Sequence, residues 1–179
     1  MSFQKTKCDA TLGAAVNNYL TTVGVQTPLV PNDLTENNKI NVIQDAMTVV
    51  LKTLGLDLSD DSLSETPNRV AKMFVQELYW GLDFDKFPKC TTVSNKMGYD
   101  EMVIERNIKV MSDCEHHLRT IAGTAHIAYI PKDKVLGLSK MPRIVDYFAR
   151  RPQIQERLCE QVFHALSFIL GTEDVDVVI

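Results

Sequence analysis

The spacing of the apolar residues changes near residue 100, and this change limits the possible fold more than any other feature. Before residue 100, apolar side chains recur every three or four positions, as in amphipathic helices. After it, residues 102–111 and 119–130 are rich in β-branched side chains in alternation, as in strands. Two helical segments at about 142–149 and 153–170, and a strand-like run at 175–179, follow. This order predicts an α+β fold with an antiparallel sheet.

The N-terminal part of the chain contains three predicted helices, and each is followed by a glycine. Gly24, Gly55 and Gly81 stand where the helical periodicity stops. Thr66 is predicted to cap the third helix, with Pro67 in its first turn. We therefore expect a helical region over residues 1–97 and a sheet-containing domain over residues 98–179.

Composition excludes several classes of protein. The chain has 179 residues, 45% of them hydrophobic, which is enough for a core, and no apolar run reaches the ~18–20 residues of a membrane span. A net charge of −4 argues against a nucleic-acid partner. The four cysteines are scattered, and the first residues lack the apolar stretch of a secretory signal. A cytoplasmic protein that neither binds nucleic acid nor inserts into a membrane is expected.

Positive charge is concentrated in one segment of this acidic chain. Residues 132–157 contain seven basic side chains and three acidic ones. A short basic segment of this kind favours a small anionic ligand. The alternative interpretation, a charged face in contact with water, is equally compatible with the charges alone.

A Cys-x-x-His pair is the strongest local indication of chemistry. Cys114 and His117 are close enough for one tight turn to bring a thiolate and an imidazole to the same metal ion. This donor pair in an intracellular protein indicates zinc. His116 would then point away from the metal and remain available for proton transfer. Because a catalytic zinc site normally has three protein ligands, an unmetallated thiol and histidines remain the alternative.

Two further segments carry groups that suit a nucleotide. Ser139, Lys140 and Arg143 lie at a predicted strand-to-helix junction, a combination that favours phosphate, although a helix cap with two exposed bases is the commoner interpretation. Gln155 and Glu156 lie in the first turn of the next helix. A carboxylate there can accept two hydrogen bonds from the N1–H and 2-amino edge of guanine. A plain acidic residue at a helix N-terminus is the alternative.

Taken together and in this order, the motifs resemble the GTP cyclohydrolase I family. The resemblance extends from about residue 40 to residue 179 and is most specific in the Ser-x-Cys-Glu-His-His and Gln-x-Gln-Glu-Arg-Leu motifs. The matching segments are Glu65-Thr-Pro-Asn-Arg69, Ser112-Asp-Cys-Glu-His-His117, Tyr129-Ile-Pro-Lys, Gly137-Leu-Ser-Lys-Met-Pro-Arg143 and Arg151-Pro-Gln-Ile-Gln-Glu-Arg-Leu158.

This resemblance implies a tunnelling fold (T-fold), an antiparallel sheet with two helices on one face, preceded by N-terminal helices. It implies assembly of identical subunits into two stacked pentamers, a decamer with active sites between subunits. The implied reaction opens the imidazole ring of GTP at C8 by hydrolysis, releases formate and gives 7,8-dihydroneopterin triphosphate, the first step of tetrahydrofolate and pterin synthesis.

The resemblance also implies a role for each candidate residue. Cys114 and His117 correspond to two of the three zinc ligands of the family, and His116 corresponds to its catalytic histidine. The implied substrate contacts are Glu156 and Gln155 for guanine and, for the triphosphate, Ser139, Lys140, Arg143 and Arg69, the last from a neighbouring subunit.

The sequence departs from the family at the third zinc ligand, a cysteine in a strand after the one that starts at Val175. We therefore expect a C-terminal hairpin to be missing from this sequence and zinc binding to be weak. Cys159 is the first candidate substitute, although a buried inert thiol is the better interpretation; His126 and His164 are expected to be structural. The alternative function is a non-catalytic relative that binds GTP or a pterin. A zinc-independent nitrile reductase of the same fold suits the Cys-Glu-His-His motif poorly.

Overall fold

The structure, a computed structural model, describes residues 7–179, and their contacts divide the chain into two compact units. The first unit contains the described residues up to Pro28 together with Gly81–Ile179, and the second contains Leu29–Trp80. The first unit thus combines the N-terminal helix with the sheet, on both sides of the boundary expected at residue 97. The division into regions 1–97 and 98–179 stays a prediction.

The described residues form five α-helices and six strands, and the longer ones follow the predicted order. The α-helices are α1 (Ala10–Thr22), α2 (Glu36–Thr53), α3 (Thr66–Lys72), α4 (Lys140–Ala149) and α5 (Gln155–Leu170). The strands are β1 (Thr92–Ser94), β2 (Val103–Cys114), β3 (Thr120–Tyr129), β4 (Lys134–Leu136), β5 (Pro152–Gln153) and β6 (Val175–Val178). No helix among them is both long enough and apolar enough to span a bilayer.

The main sheet has four strands in the order β5-β2-β3-β6. Strand β3 pairs antiparallel with both β2 and β6, which confirms the predicted α+β class with an antiparallel sheet. The β2–β3 register shifts between Glu105 and Ile108, where Asn107 has a φ of 60°, a conformation that asparagine tolerates well. The short strand β5 runs parallel to β2, a pairing that alternation along the chain did not predict.

Helices α4 and α5 cover the face of the sheet that carries Ile108 and Val110, and these two side chains are buried. Helix α4 buries Ile144 and Phe148, and α5 buries Leu158 together with most of its predicted apolar stripe. Burying apolar side chains of this size contributes about 1.5–3 kcal/mol each, which makes this layer the core of the unit. The predicted arrangement of two helices on one face of the sheet is confirmed.

A buried arginine holds several segments of the first unit together. The side chain of Arg151 is 1% exposed, and its Nε donates to the backbone oxygen of Gly81 over 2.7 Å. Its Nη1 donates to Gln26 Oε1 over 2.8 Å and to Thr27 Oγ1 over 3.2 Å, and its Nη2 donates to Tyr147 Oη over 3.0 Å. Since a buried cation requires hydrogen-bonding partners, this network fixes the chain directly before β5.

The second unit contains α2 and α3, which pack against each other. The chain continues from α3 into a wider π-helical segment, Met73–Leu78, and Gln76 Nε2 donates to Glu36 Oε1 over 2.9 Å. The prediction that Thr66 caps the third helix was wrong. Glu65 is the N-cap, without a side-chain cap bond, and Thr66 is the first helical residue.

Gly81 also has a different role from the predicted one. The helical segment that begins in α3 ends at Leu78, and Gly81 lies in the short 3₁₀ turn Trp80–Leu82. A Cβ atom at Gly81 would overlap the backbone oxygen of Tyr147, so close approach of two backbone segments requires glycine here. The two three-residue strands β1 and β4, which pair with each other, were not predicted.

Candidate functional site

The Cys-Glu-His-His motif forms the turn between β2 and β3. The backbone N–H of Cys114 donates to the oxygen of Arg119 over 2.9 Å, and the N–H of Leu118 donates to the oxygen of Cys114 over 2.8 Å. Leu118 has a φ of 52°, a left-handed conformation that costs a leucine roughly 1–2 kcal/mol. Residues 114–119, called the catalytic turn below, therefore place one thiol and two imidazoles on a single closed loop.

Within this turn the structure brings Cys114 next to His116. The Sγ atom of Cys114 is 3.6 Å from Nδ1 of His116, and the two histidine ring centroids are 6.2 Å apart. Both histidines are exposed. The sequence interpretation paired Cys114 with His117 instead, and among the contacts of residues 7–179 no bond joins those two side chains. The assignment of His117 as a ligand and His116 as the free imidazole stays a prediction.

The start of α5 lies beside the catalytic turn because β5 pairs with β2. In this parallel pairing Cys114 is opposite Gln153, and the N–H of Glu115 donates to the backbone oxygen of Gln153 over 3.0 Å. Gln155 and Glu156 follow at once in the first turn of α5, and both are exposed. The structure thus brings together two of the three predicted segments, the catalytic turn and the proposed base-binding residues.

The basic segment lies at the start of α4. Ser139 is the N-cap without a side-chain cap bond, which removes the main support for the plain helix-cap interpretation. Lys140 and Arg143 are half-buried, and neither has an ion-pair partner in the part of the chain that the structure describes. Both cations lie close enough to Cys90 to lower its pKa, but burial dominates and raises the pKa of that thiol to about 12. The segment presents unpaired positive charge suited to an anion.

Arg69 lies on α3 in the second unit, where it is exposed. Its predicted contact with triphosphate involves another subunit and stays a prediction.

Comparison with known proteins gives a consistent result. The family model described as GTP cyclohydrolase I matches residues 43–179. A protein of Aeromonas salmonicida (strain A449) named GTP cyclohydrolase 1 is 56% identical over 152 residues, which are 85% of this chain and 70% of the relative. A protein of the same name from Tolumonas auensis (strain DSM 9187 / NBRC 110442 / TA 4) is 50% identical over 164 residues, 92% of this chain and 76% of the relative. The chain belongs to the GTP cyclohydrolase I family.

As a member of the GTP cyclohydrolase I family, the chain is an enzyme, and the cyclohydrolase is favoured over the related nitrile reductase. The donor types of the catalytic turn fit zinc, since thiolate and imidazole are its usual protein ligands. The donors of the catalytic turn alone do not form a three-ligand zinc site. Residues 7–179 contain no group of three His, Cys, Asp or Glu side chains placed to hold one ion.

Cys159 belongs to no group of three donors among residues 7–179. Its thiol donates to the backbone oxygen of Val177 over 3.0 Å, and burial, with the nearby carboxylates of Glu160 and Asp176, raises its pKa. This environment supports the interpretation of Cys159 as a structural thiol.

The two remaining histidines lie in the sheet and in α5. His126 lies on β3 opposite Val178. His164 on α5 contacts Glu160, with 3.4 Å between Nε2 and Oε2, and stacks edge-on against Tyr19. Neither belongs to the catalytic turn.

One ion pair beside the candidate site escaped the sequence interpretation. Glu115 of the catalytic turn and Arg157 of α5 form an ion pair across 42 positions of sequence. The hydrogen bond from Arg157 holds the pKa of the Glu115 carboxyl below its usual range. Each residue belongs to a motif recognised from the sequence, but periodicity and spacing do not indicate that two such distant side chains meet.

Proposed function

We propose that this chain acts on GTP, opening its imidazole ring at C8 by hydrolysis, releasing formate and forming 7,8-dihydroneopterin triphosphate. The observation that carries the proposal is the parallel pairing of β5 with β2, with Cys114 opposite Gln153, two residues before Gln155. The proposed reacting groups of the catalytic turn and the proposed base-recognition residues, Gln155 and Glu156, then lie at the same edge of the sheet. Membership of the GTP cyclohydrolase I family supports the same reaction.

The start of α5 is proposed to recognise the base. The carboxylate of Glu156 would accept hydrogen bonds from N1–H and the 2-amino group of guanine, and Gln155 would assist beside it. Both side chains are exposed at the first turn of α5, and Ile154 at the N-cap provides no competing side-chain bond. Adenine presents a different edge and would leave the carboxylate without a matching donor pair.

The basic segment is proposed to hold the triphosphate. Ser139, Lys140 and Arg143 would bind its oxygens, helped by Arg69 from a neighbouring subunit. The absence of ion-pair partners for Lys140 and Arg143 within residues 7–179 supports this role. Because the triphosphate does not react, its binding energy serves to hold the base in register with the catalytic turn.

Cys114 and His117 are proposed to provide two ligands for Zn²⁺. When bound, zinc lowers the pKa of a coordinated water so that hydroxide is available near neutral pH. His116 would carry a proton to N7 of the base and later to the nitrogen that leaves during ring opening. Its imidazole is exposed, with Nε2 4.0 Å from Glu115 Oε1.

We further propose that identical subunits assemble into a decamer of two stacked pentamers, with the active sites between subunits. Large apolar side chains remain exposed on the main sheet, including Ile104 (52%), Met111 (57%) and Val178 (56%). Exposed apolar surface of this kind is typical of an interface.

The proposed reaction would be the first step of tetrahydrofolate and pterin synthesis.

The test is to incubate the purified chain with zinc and GTP and to measure formate together with the fluorescence of the oxidised pterin. Equal amounts of formate and pterin from GTP, and none from ATP, are expected. GTP binding without formate would overturn the enzymatic proposal. It would support the non-catalytic alternative.

A further inference from the structure

The Glu115–Arg157 ion pair connects the catalytic turn with the first turn of α5. Arg157 Nη1 donates to Glu115 Oε2, and Arg157 Nη2 is 3.4 Å from Glu115 Oε1, so the guanidinium meets both carboxylate oxygens. The side chains are 18% and 28% exposed. A two-pronged contact of this type fixes orientation as well as distance.

Both partners are next to residues assigned to the reaction. Glu115 lies between Cys114 and His116, and its Oε1 is 4.0 Å from Nε2 of His116. Arg157 follows Glu156 directly in α5. The ion pair therefore connects the residue next to His116, the proposed proton-transfer group, with the residue next to Glu156, the proposed base-recognition group.

Other tethers between these two segments are few. Strand β5 pairs with β2 at two positions only, Asp113 with Pro152 and Cys114 with Gln153. Beyond Gln153, the first turn of α5 has no side-chain cap bond. Besides the backbone bond from Glu115 N–H to Gln153, the ion pair is the side-chain contact that joins this helical turn directly to the catalytic turn among residues 7–179. In the same helical turn, Gln155 Nε2 donates to the backbone oxygen of Ile179 over 2.6 Å.

We propose that Glu115 and Arg157 are positioning residues, which hold His116 and Glu156 at the separation that the reaction requires. This inference rests on the proposed function, because it assigns the pair a role in GTP turnover. Neither side chain contacts the substrate in this account. Small displacements of reacting groups reduce rates strongly, whereas binding of the base and triphosphate uses other residues.

The variants are Arg157→Gln, which removes the positive charge, and Arg157→Lys, which keeps the charge but lacks the planar guanidinium that meets both carboxylate oxygens. A double variant, Glu115→Arg with Arg157→Glu, restores the pair in reverse. The matched control is Arg150→Gln, because Arg150 pairs with Asp146 over 3.1 Å and the two are 18% and 26% exposed. The control breaks an equally buried ion pair between the last turn of α4 and its C-cap residue, which involves neither the catalytic turn nor α5.

Two readouts are needed, steady-state kinetics with GTP and amide hydrogen exchange over residues 114–119. Arg157→Gln should lower kcat by at least about tenfold, with KM within about threefold, and should speed exchange in the catalytic turn. Arg157→Lys should lie between this variant and the wild type, and the reversed pair should recover part of kcat. Arg150→Gln should leave all three quantities near wild type.

Unchanged kcat or unchanged exchange in Arg157→Gln would overturn the inference. An equal loss in Arg150→Gln would do the same, because it would indicate a general effect on folding. A rise in KM alone would show a substrate contact instead of positioning. If the wild type releases no formate, the proposed function fails, and hydrogen exchange alone then decides whether the pair tethers the turn. Arg157→Lys serves as the deciding variant if Arg157→Gln does not fold.

Discussion

Replacement of Arg151 by methionine tests the polar network that fixes the chain before β5. Methionine keeps the length of the arginine stem and removes its charge and donors. Of the acceptors left behind, Gln26 Oε1 still accepts from the backbone N–H of Thr27 over 2.8 Å, and Thr27 Oγ1 still accepts from Gln161 Nε2 over 3.1 Å. The backbone oxygen of Gly81 loses the only side-chain donor it has among the described residues.

The expected loss of stability can be worked from these contacts. An orphaned buried carbonyl such as that of Gly81 costs about 1–3 kcal/mol. The guanidinium carbon of Arg151 is 4.9 Å from the ring centroid of Tyr147 and 4.8 Å from that of Phe148, and loss of these contacts costs roughly 1 kcal/mol more. The free energy of unfolding should therefore fall by about 2–4 kcal/mol for Arg151→Met.

The assay is reversible urea unfolding followed by circular dichroism, with thermal unfolding in parallel. A loss of about 2–4 kcal/mol corresponds to a fall in Tm of roughly 5–15 °C for a chain of this size. The adjacent Arg150→Met serves as the control, since the side chain of Arg150 forms a partly exposed pair with Asp146, and the loss of this pair should cost less than about 1 kcal/mol. Stability of Arg151→Met equal to or above wild type would refute the reasoning, because the desolvation cost of the buried cation would then exceed its hydrogen bonding.

Three further predictions concern the proposed site. Glu156→Gln should strongly lower the affinity for GTP in a calorimetric titration, because the new amide N–H faces a hydrogen-bond donor of guanine. Comparable affinities of the wild type for GTP and ATP would refute base recognition by Glu156. Lys140→Ala and Arg143→Ala should each raise the KM for GTP, because each loses charged hydrogen bonds that contribute about 1–3 kcal/mol to binding. Unchanged kinetics in both variants would support a helix-cap role for these residues instead. In a form supplied with the third zinc donor, His117→Ala should lose zinc and activity together. His116→Ala should keep zinc and lose about 10²–10⁴-fold in turnover, and loss of zinc in both would refute the division of roles.

The fold class could be predicted because hydrophobic periodicity is strong in the long elements. Helices α2 and α5 and strands β2 and β3 show clear periods in sequence, and burial follows the period closely in α5 and β2. Helix α2 buries only Ile40, and β3 alternates only in its second half. Strand β1 has three residues, too few for alternation to be visible. The π-helical segment Met73–Leu78 continues the apolar stripe of α3, so the sequence alone does not separate it from an α-helix.

The candidate site could be predicted only as separate segments. Short motifs indicated the chemistry of Cys114, His116 and His117, but their mutual geometry depends on the left-handed conformation of Leu118. A leucine is an unusual residue at a positive φ, and its side chain gives no indication of it. The pairing of β5 with β2 joins segments distant in sequence, a property of the tertiary fold that local patterns do not carry.

The most direct test of the proposed site is a crystal structure of the His116→Ala variant with GTP bound. We expect the edge of guanine on the carboxylate of Glu156, C8 facing the catalytic turn, and the triphosphate beside Lys140 and Arg143. Guanine bound away from Glu156, or C8 facing away from Cys114, would contradict the account.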